Sequence, residues 1–201
     1  RSHESFLDIS DRRNYLFNST INGIEEADLI LLIGTNPRFE ATMLNARIRK
    51  AYLNNKTEII SLNDVGDLTY PYENYDGKTL VLKDMIENNN DLSQKILKSK
   101  KPMIILGDSF FRLKSSNYLF NSLKEFLVKN NKITNDWMPL NTLSTNASTV
   151  GNYDLEIIKE NSNLINELNE NKFEIVFLIG QDDLKFNKKN EFVIYQGSHG
   201  D

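Results

Sequence analysis

The chain contains no cysteine, and that absence alone removes disulfides, thiolate metal sites, iron–sulfur ligation and thiol nucleophiles. Histidine is nearly absent too: His3 and His199 stand near opposite ends, with no His-x-x-x-His pair and no carboxylate-rich calcium loop beside either, so a metal site is not expected. No dense basic tract occurs, and a net charge of -4 with a pI near 5.3 argues against nucleic acid or an anionic membrane surface as the principal partner. Long hydrophobic runs are missing as well. The longest, Leu29–Ile33, is far too short to span a bilayer, and no charged-then-apolar signal stretch opens the sequence.

What is present is the composition of a folded domain: 201 residues, 39% hydrophobic and 26% charged. Five apolar runs recur, at residues 29–33, 59–62, 103–106, 175–179 and 192–195, and all but the second are followed closely by glycine, at Gly34, Gly107, Gly180 and Gly197. Buried parallel strands ending in permissive turns are the natural reading. Between them lie helical patterns. Residues 115–129 place Leu119, Phe120, Leu123, Phe126 and Leu127 on one face, and residues 154–168 carry Ile157, Ile158, Leu164, Ile165 and Leu168 on a stripe. In residues 42–53, Leu44, Ile48, Ala51 and Tyr52 are expected to face inward, and Asn45, Arg49 and Lys50 outward. Strand followed by helix, repeated, predicts an α/β fold with a mostly parallel sheet in a layered αβα arrangement. The polar stretch 98–102 is the best candidate for a subdomain boundary, dividing two strands from three.

The most informative segment is Gly34-Thr35-Asn36-Pro37, where the first apolar run stops and a helix begins. Folds of this class place ligands at such turns. The second and third glycines of a dinucleotide fingerprint are absent, however, leaving either a phosphate-binding turn or a plain strand-to-helix turn. Asp108, Asp182 and Asp183 follow strand-ending glycines, where a carboxylate can perform acid–base work, hold a ribose, or simply cap a helix. Arg38, Arg47, Arg49 and Lys50 form a basic cluster suited to phosphate, to an acidic partner subunit, or to solvent. Ser198, His199 and Asp201 lie too close in sequence to act as a nucleophile relay. The lone Trp137 reads as a core anchor, because no second aromatic accompanies it to form a stacking platform.

Several segments together carry a family resemblance. Residues 14–21, Glu25-Glu26-Ala27-Asp28, Gly34-Thr35-Asn36-Pro37-Arg38-Phe39-Glu40-Ala41, Asn45-Ala46-Arg47-Ile48-Arg49-Lys50, Asp67-Leu68-Thr69-Tyr70 and Tyr195-Gln196-Gly197 follow one another as in the largest iron–sulfur subunit of respiratory complex I, NADH:ubiquinone oxidoreductase. The chain resembles that subunit's carboxy-terminal, molybdopterin-oxidoreductase-like domain, densely before Tyr70 and thinly over residues 73–133.

The resemblance implies one incomplete domain of that fold over residues 1–201, with no catalytic, cofactor-binding or metal residues expected in this chain. Iron–sulfur clusters are expected in a Cys-rich amino-terminal region or a partner chain. Partners would be other complex I subunits, including that Cys-rich part, without nucleic acid and without a direct membrane span. The implied role is a non-catalytic structural segment of the hydrophilic electron-input arm. Its place would be peripheral to the mitochondrial inner membrane on the matrix side, or to a bacterial cytoplasmic membrane on the cytoplasmic side. Two rival readings are a fragment of an active molybdopterin oxidoreductase and a nucleotide-binding α/β module using Gly34 and Gly107. Residues 192–195, apolar throughout, are expected to form a strand buried on both faces, which further strand and helix would cover.

Overall fold

The computed structural model describes residues 8–157, 164–181 and 184–198. The chain divides into two compact units, one of residues 5–160 and the other holding residues 161–201.

The larger unit is built on a five-stranded sheet: β1 (Leu29–Ile33), β2 (Glu58–Leu62), β3 (Glu73–Tyr75), β4 (Pro102–Gly107) and β5 (Leu140–Leu143), in the order β3-β2-β1-β4-β5. Every pairing is parallel, with Leu31 opposite Ile60 on one side and Ile104 on the other. β1 and β4 are buried at every position, which explains why their sequences are continuous apolar runs without alternation. Successive residues nevertheless serve opposite faces. Leu29, Leu31 and Ile33 join one core with α4 (Thr79–Ile86), α5 (Asp91–Lys98) and α7 (Ser116–Lys129), while Ile30 and Leu32 join a second core with α3 (Thr42–Asn55). Helices on both faces make the layered αβα arrangement expected from the sequence. Short helices α1 (Thr20–Gly23), α2 (Pro37–Glu40), α6 (Asp108–Phe111) and α8 (Thr149–Asp154) complete this unit.

The stretch 98–102, expected as a subdomain boundary, runs from the end of α5 into the central strand β4, and the sheet draws strands from both sides of it. Two features of this unit differ from the sequence reading. β3 and β5 appear in addition to the apolar runs. Both are short edge strands of polar or mixed composition, held by pairing with β2 and β4 and not by an apolar stripe of their own. The helix expected over residues 154–168 does not run on from α8. Leu155 and Glu156 close its last turn onto Gly151 and Tyr153, and Glu156 adopts a left-handed φ of 55°. Tertiary contacts hold α8 in place: Tyr153 packs on Tyr15 with ring centroids 5.1 Å apart, and Asp154 accepts bonds from Arg12 and Tyr15. Of the expected stripe, Ile158 lies outside the described residues.

The amino-terminal segment covers the β5 edge. Thr142 donates its backbone N–H to Leu16 at 3.0 Å, and the buried Asn141 side chain accepts from the Ser19 amide while donating to the Ser19 hydroxyl and the Pro139 carbonyl.

The smaller unit pairs β6 (Ile175–Ile179) with β7 (Phe192–Gln196) in parallel, alongside α9 (Leu164–Asn169). Val176 and Leu168 are buried, whereas Ile175, Phe177, Ile179 and Phe192 are exposed. Residues 192–195 form the expected strand, with Val193 and Ile194 half-buried and Phe192 and Tyr195 exposed; the further strand and helix expected to cover it are not among the described residues.

Candidate functional site

In the order β3-β2-β1-β4-β5 the connections leave β1 and β4 toward opposite faces, so the sheet has its switch point between these two strands, at their carboxyl ends. Gly34 and Gly107 stand there. Gly34 has a φ of +63°, and a Cβ placed on it would lie 2.5 Å from the backbone nitrogen of Phe110. A Cβ on Gly107 would lie 2.4 Å from the Gly34 carbonyl oxygen and 2.5 Å from the Thr35 Cβ. Two glycines are thus needed because the β1–α2 and β4–α6 turns touch backbone to backbone. Phe110 of α6, 1% exposed, brings its backbone and Cβ against Gly34.

Beside this contact, over the ends of β1 and β2, lies a cavity of about 470 Å³ whose lining includes Asn36, Asn63, Asp64, Lys78, Phe110 and Leu113. Several of its polar groups are bonded within the fold. Asn36 caps α2, accepting the Arg38 N–H at 3.1 Å, and donates its amide to the Val65 carbonyl at 2.8 Å. Thr35 donates its hydroxyl to Glu40 at 2.7 Å. Asp64 accepts from the Gly66 N–H and the Tyr72 hydroxyl, each at 2.9 Å, and these bonds hold its carboxyl below the usual carboxylate range. Lys78 pairs with Asp76 at 2.7 Å, which raises its pKa.

At the start of α2 the donors that a phosphate would use are occupied. Pro37 has no N–H, the Arg38 N–H serves Asn36, and the Phe39 N–H serves the Asn36 carbonyl at 3.1 Å. The Arg38 guanidinium reaches the Asp67 carboxylate and carbonyl, both at 2.6 Å. The remaining members of the basic cluster separate: Arg47 and Lys50 converge on Glu25 and Arg49 lies on an exposed face of α3. The cluster is therefore not a common anion site, because its paired charges neutralise acids from different segments of the chain.

Asp108 opens α6, but its carboxylate caps nothing there; it accepts from the Thr145 hydroxyl and ties the ends of β4 and β5 together. Trp137 is the expected anchor: it is buried, donates Nε1–H to the Pro102 carbonyl at 2.7 Å, and carries Lys101 Nζ 5.3 Å from its ring centroid. Asn45, expected to face solvent, is buried. It donates to the Leu68 carbonyl at 3.1 Å and accepts the Tyr70 hydroxyl at 2.7 Å, so a polar residue on the inward stripe pins the 63–72 loop. That pairing carries no periodicity signal. His3, Asp182, Asp183 and His199 lie outside the described residues. Among the described residues no three His, Asp or Glu side chains converge as a metal site requires, and no helix is long and apolar enough to cross a membrane.

Comparison with known proteins is consistent with this architecture. The chain is 36% identical over 193 residues, 94% of its length, to the NADH-ubiquinone oxidoreductase 75 kDa subunit of Reclinomonas americana. It is 38% identical over 94% of its length to the mitochondrial NADH-ubiquinone oxidoreductase 78 kDa subunit of Candida albicans, and 32% identical over 97% of its length to a subunit of the NADH-quinone oxidoreductase of Rickettsia bellii. It spans 28%, 26% and 28% of these relatives, so about a quarter of the length of the curated proteins it matches. The molybdopterin oxidoreductase family model matches residues 2–201, and the chain, with its parallel sheet between two helical layers, belongs to that family.

Proposed function

We propose that this chain is a structural segment of the electron-input arm of complex I, packing against subunits that carry the redox centres and performing no chemistry of its own. The observation that carries this reading is the similarity to NADH-ubiquinone oxidoreductase subunits over 94% of the chain. Its site would be the matrix side of the mitochondrial inner membrane, as a peripheral component, with the bacterial cytoplasmic face as the counterpart for a relative such as that of Rickettsia. The exposed apolar face of Ile175, Phe177, Ile179 and Phe192 supports a role in packing, since soluble monomers seldom leave such a face uncovered.

The family implies a molybdopterin group, which carries phosphate. The residues at the switch point do not fit such a group: the two turns are in contact, the amides at the start of α2 are engaged, and Arg38 and Lys78 are already paired with Asp67 and Asp76. We infer that the chain holds neither this cofactor nor a metal ion. Iron–sulfur clusters would then belong to a Cys-rich region or partner outside these residues.

The test is co-migration. In a native gel of solubilised membranes the chain should run with NADH dehydrogenase activity, and metal analysis of that band should give no molybdenum. A chain migrating apart from the activity, or molybdenum near one per chain, would overturn the reading.

A further inference from the structure

We propose that the outer face of α3, together with Phe39 of α2, is a docking surface for an amphipathic helix of another subunit, one whose apolar stripe is flanked by Asp and Glu. The proposal rests on the packing role proposed above and gives that role a surface and a partner chemistry.

Among the described residues the two most exposed large hydrophobic side chains are Phe39, at 80%, and Met43, at 76%. They stand four residues apart, at the junction of α2 and α3. From Met43 an exposed stripe continues along α3 through Ala46, Lys50 and Leu53, at intervals of three, four and three residues. That is the spacing by which one helix seats its side chains against another. The opposite side of α3 serves the fold, because Leu44, Ile48 and Ala51 are buried in the core. The packing of α3 on the sheet therefore gives no reason for Met43 and Leu53 to be apolar, and apolar side chains grouped on a surface mark a contact. Phe39 is presented by a fixed turn, since Asn36 caps α2 and the Thr35 hydroxyl bonds Glu40.

Charge chooses the occupant. α3 carries Arg47, Arg49 and Lys50 and no acidic residue, in a chain whose net charge is -4. One carboxylate, that of Glu25, answers both Arg47 and Lys50. Arg49 has no ion pair among the described residues, and Lys56, exposed just past the helix, lies 5.8 Å from the Tyr52 ring centroid. A partner with acidic flanks is attracted to this face and a basic one is repelled. A second copy of the chain would bring the same basic helix, so that like charges would meet across a two-fold axis. An anionic membrane fits no better, because basic residues interrupt the apolar stripe and the chain as a whole is acidic.

From Met43 to Leu53 the helix rises about 15 Å. A helix lying along it covers that distance in about ten residues, and an extended segment in about five. In the experiment a photoreactive benzophenone side chain replaces Met43 in one form of the full chain and Leu53 in another. After irradiation of the expressing cells the chain is cut from the native-gel band it occupies, and mass spectrometry locates both crosslinks. They are expected on one helix of a different subunit, about ten residues apart, with Asp or Glu beside the contacts. Arg49→Glu should cut the crosslink yield about fivefold, and changing an acidic residue of the identified helix to Lys should restore it. The urea midpoint of the purified Arg49→Glu chain, followed by Trp137, should equal that of wild type; if it does not, Arg49→Gln takes its place in the same comparison. Crosslinks to a second copy, to lipid or to points about five residues apart would overturn the proposal, as would no crosslink or a yield indifferent to Arg49. NADH dehydrogenase activity is read in the same gel. A crosslinked chain in a band without activity refutes the complex I role and leaves the docking surface standing, and an active band without the crosslinks does the reverse.

Discussion

Replacing Gly34 should be among the most damaging single changes in the larger unit, and the structure separates the two reasons. The first is conformational. At a φ of +63° an L-residue with a Cβ costs about 1–2 kcal/mol relative to glycine. The second is steric: the added Cβ would stand 2.5 Å from the Phe110 nitrogen and 3.1 Å from its Cα and Cβ. Backbone cannot yield as a flexible side chain does, and overpacking of this kind costs about 1–3 kcal/mol. Gly66 supplies the control, because it has a φ of +73° and nothing within 4 Å of an added Cβ. Gly66→Ala should therefore lose the conformational part alone, and Gly34→Ala both, about 2–5 kcal/mol in all. Gly34→Val should lose more than Gly34→Ala, since branching at Cβ stiffens the side chain against a left-handed backbone. The assay is equilibrium urea unfolding of the full chain followed by Trp137, which is buried in the same unit. With a slope of about 2 kcal/mol/M, a difference of about 2 kcal/mol between the two alanine variants separates their midpoints by roughly 1 M urea. Equal midpoints for Gly34→Ala and Gly66→Ala would refute the claim that the β1–α2 and β4–α6 turns are in contact.

Three further outcomes follow from individual residues. Arg12 and Tyr15 hold the Asp154 carboxyl down to about 2 from an ordinary 3.8, so their pairing supports the fold fully above about pH 4 and fades as the pH falls toward 2; a carboxyl carbon NMR titration with its midpoint at the ordinary value would contradict the contact. Burial raises the Asp28 pKa, but bonds from the Ser99 hydroxyl and the Lys100 and Lys101 amides outweigh it and lower the value. Asp28→Asn should accordingly cost about 1 kcal/mol at neutral pH, measured by urea unfolding, with the difference shrinking in acid as the native carboxylate is protonated. Asn45→Ala leaves the Leu68 carbonyl and the Tyr70 hydroxyl without their partner and should cost about 2–4 kcal/mol, with Tyr70→Phe costing less and the pair proving non-additive in a double-mutant cycle.

The central strands and the long helices were legible in the sequence because burial on both faces imposes a pattern that survives without tertiary information. β1, β2 and β4 fall on their apolar runs, and α7 presents the stripe of Leu119, Phe120, Leu123, Phe126 and Leu127. The short edge strands were not legible. Glu73, Asn74 and Tyr75 have no apolar alternation to announce a strand, and they become one because β2 offers an unpaired row of backbone groups. The same holds for where a helix stops: Glu156 ends α8 through a left-handed turn that spacing along residues 154–168 does not reveal. Asn45 shows the limit on a helix face, since an inward asparagine is tolerated only where the folded chain brings a carbonyl and a hydroxyl to it. The sequence by itself determined that a strand must end at Gly34, that no thiolate chemistry is available, and which family the ordered segments resemble. Only the tertiary structure decided that the turn at Gly34 meets the one at Gly107, because the two are separated by 73 residues in sequence and touch solely through the parallel pairing of β1 with β4. That pairing fixes what kind of end the sheet has: two turns in backbone contact, with Asn36 capping α2 and Arg38 turned onto Asp67.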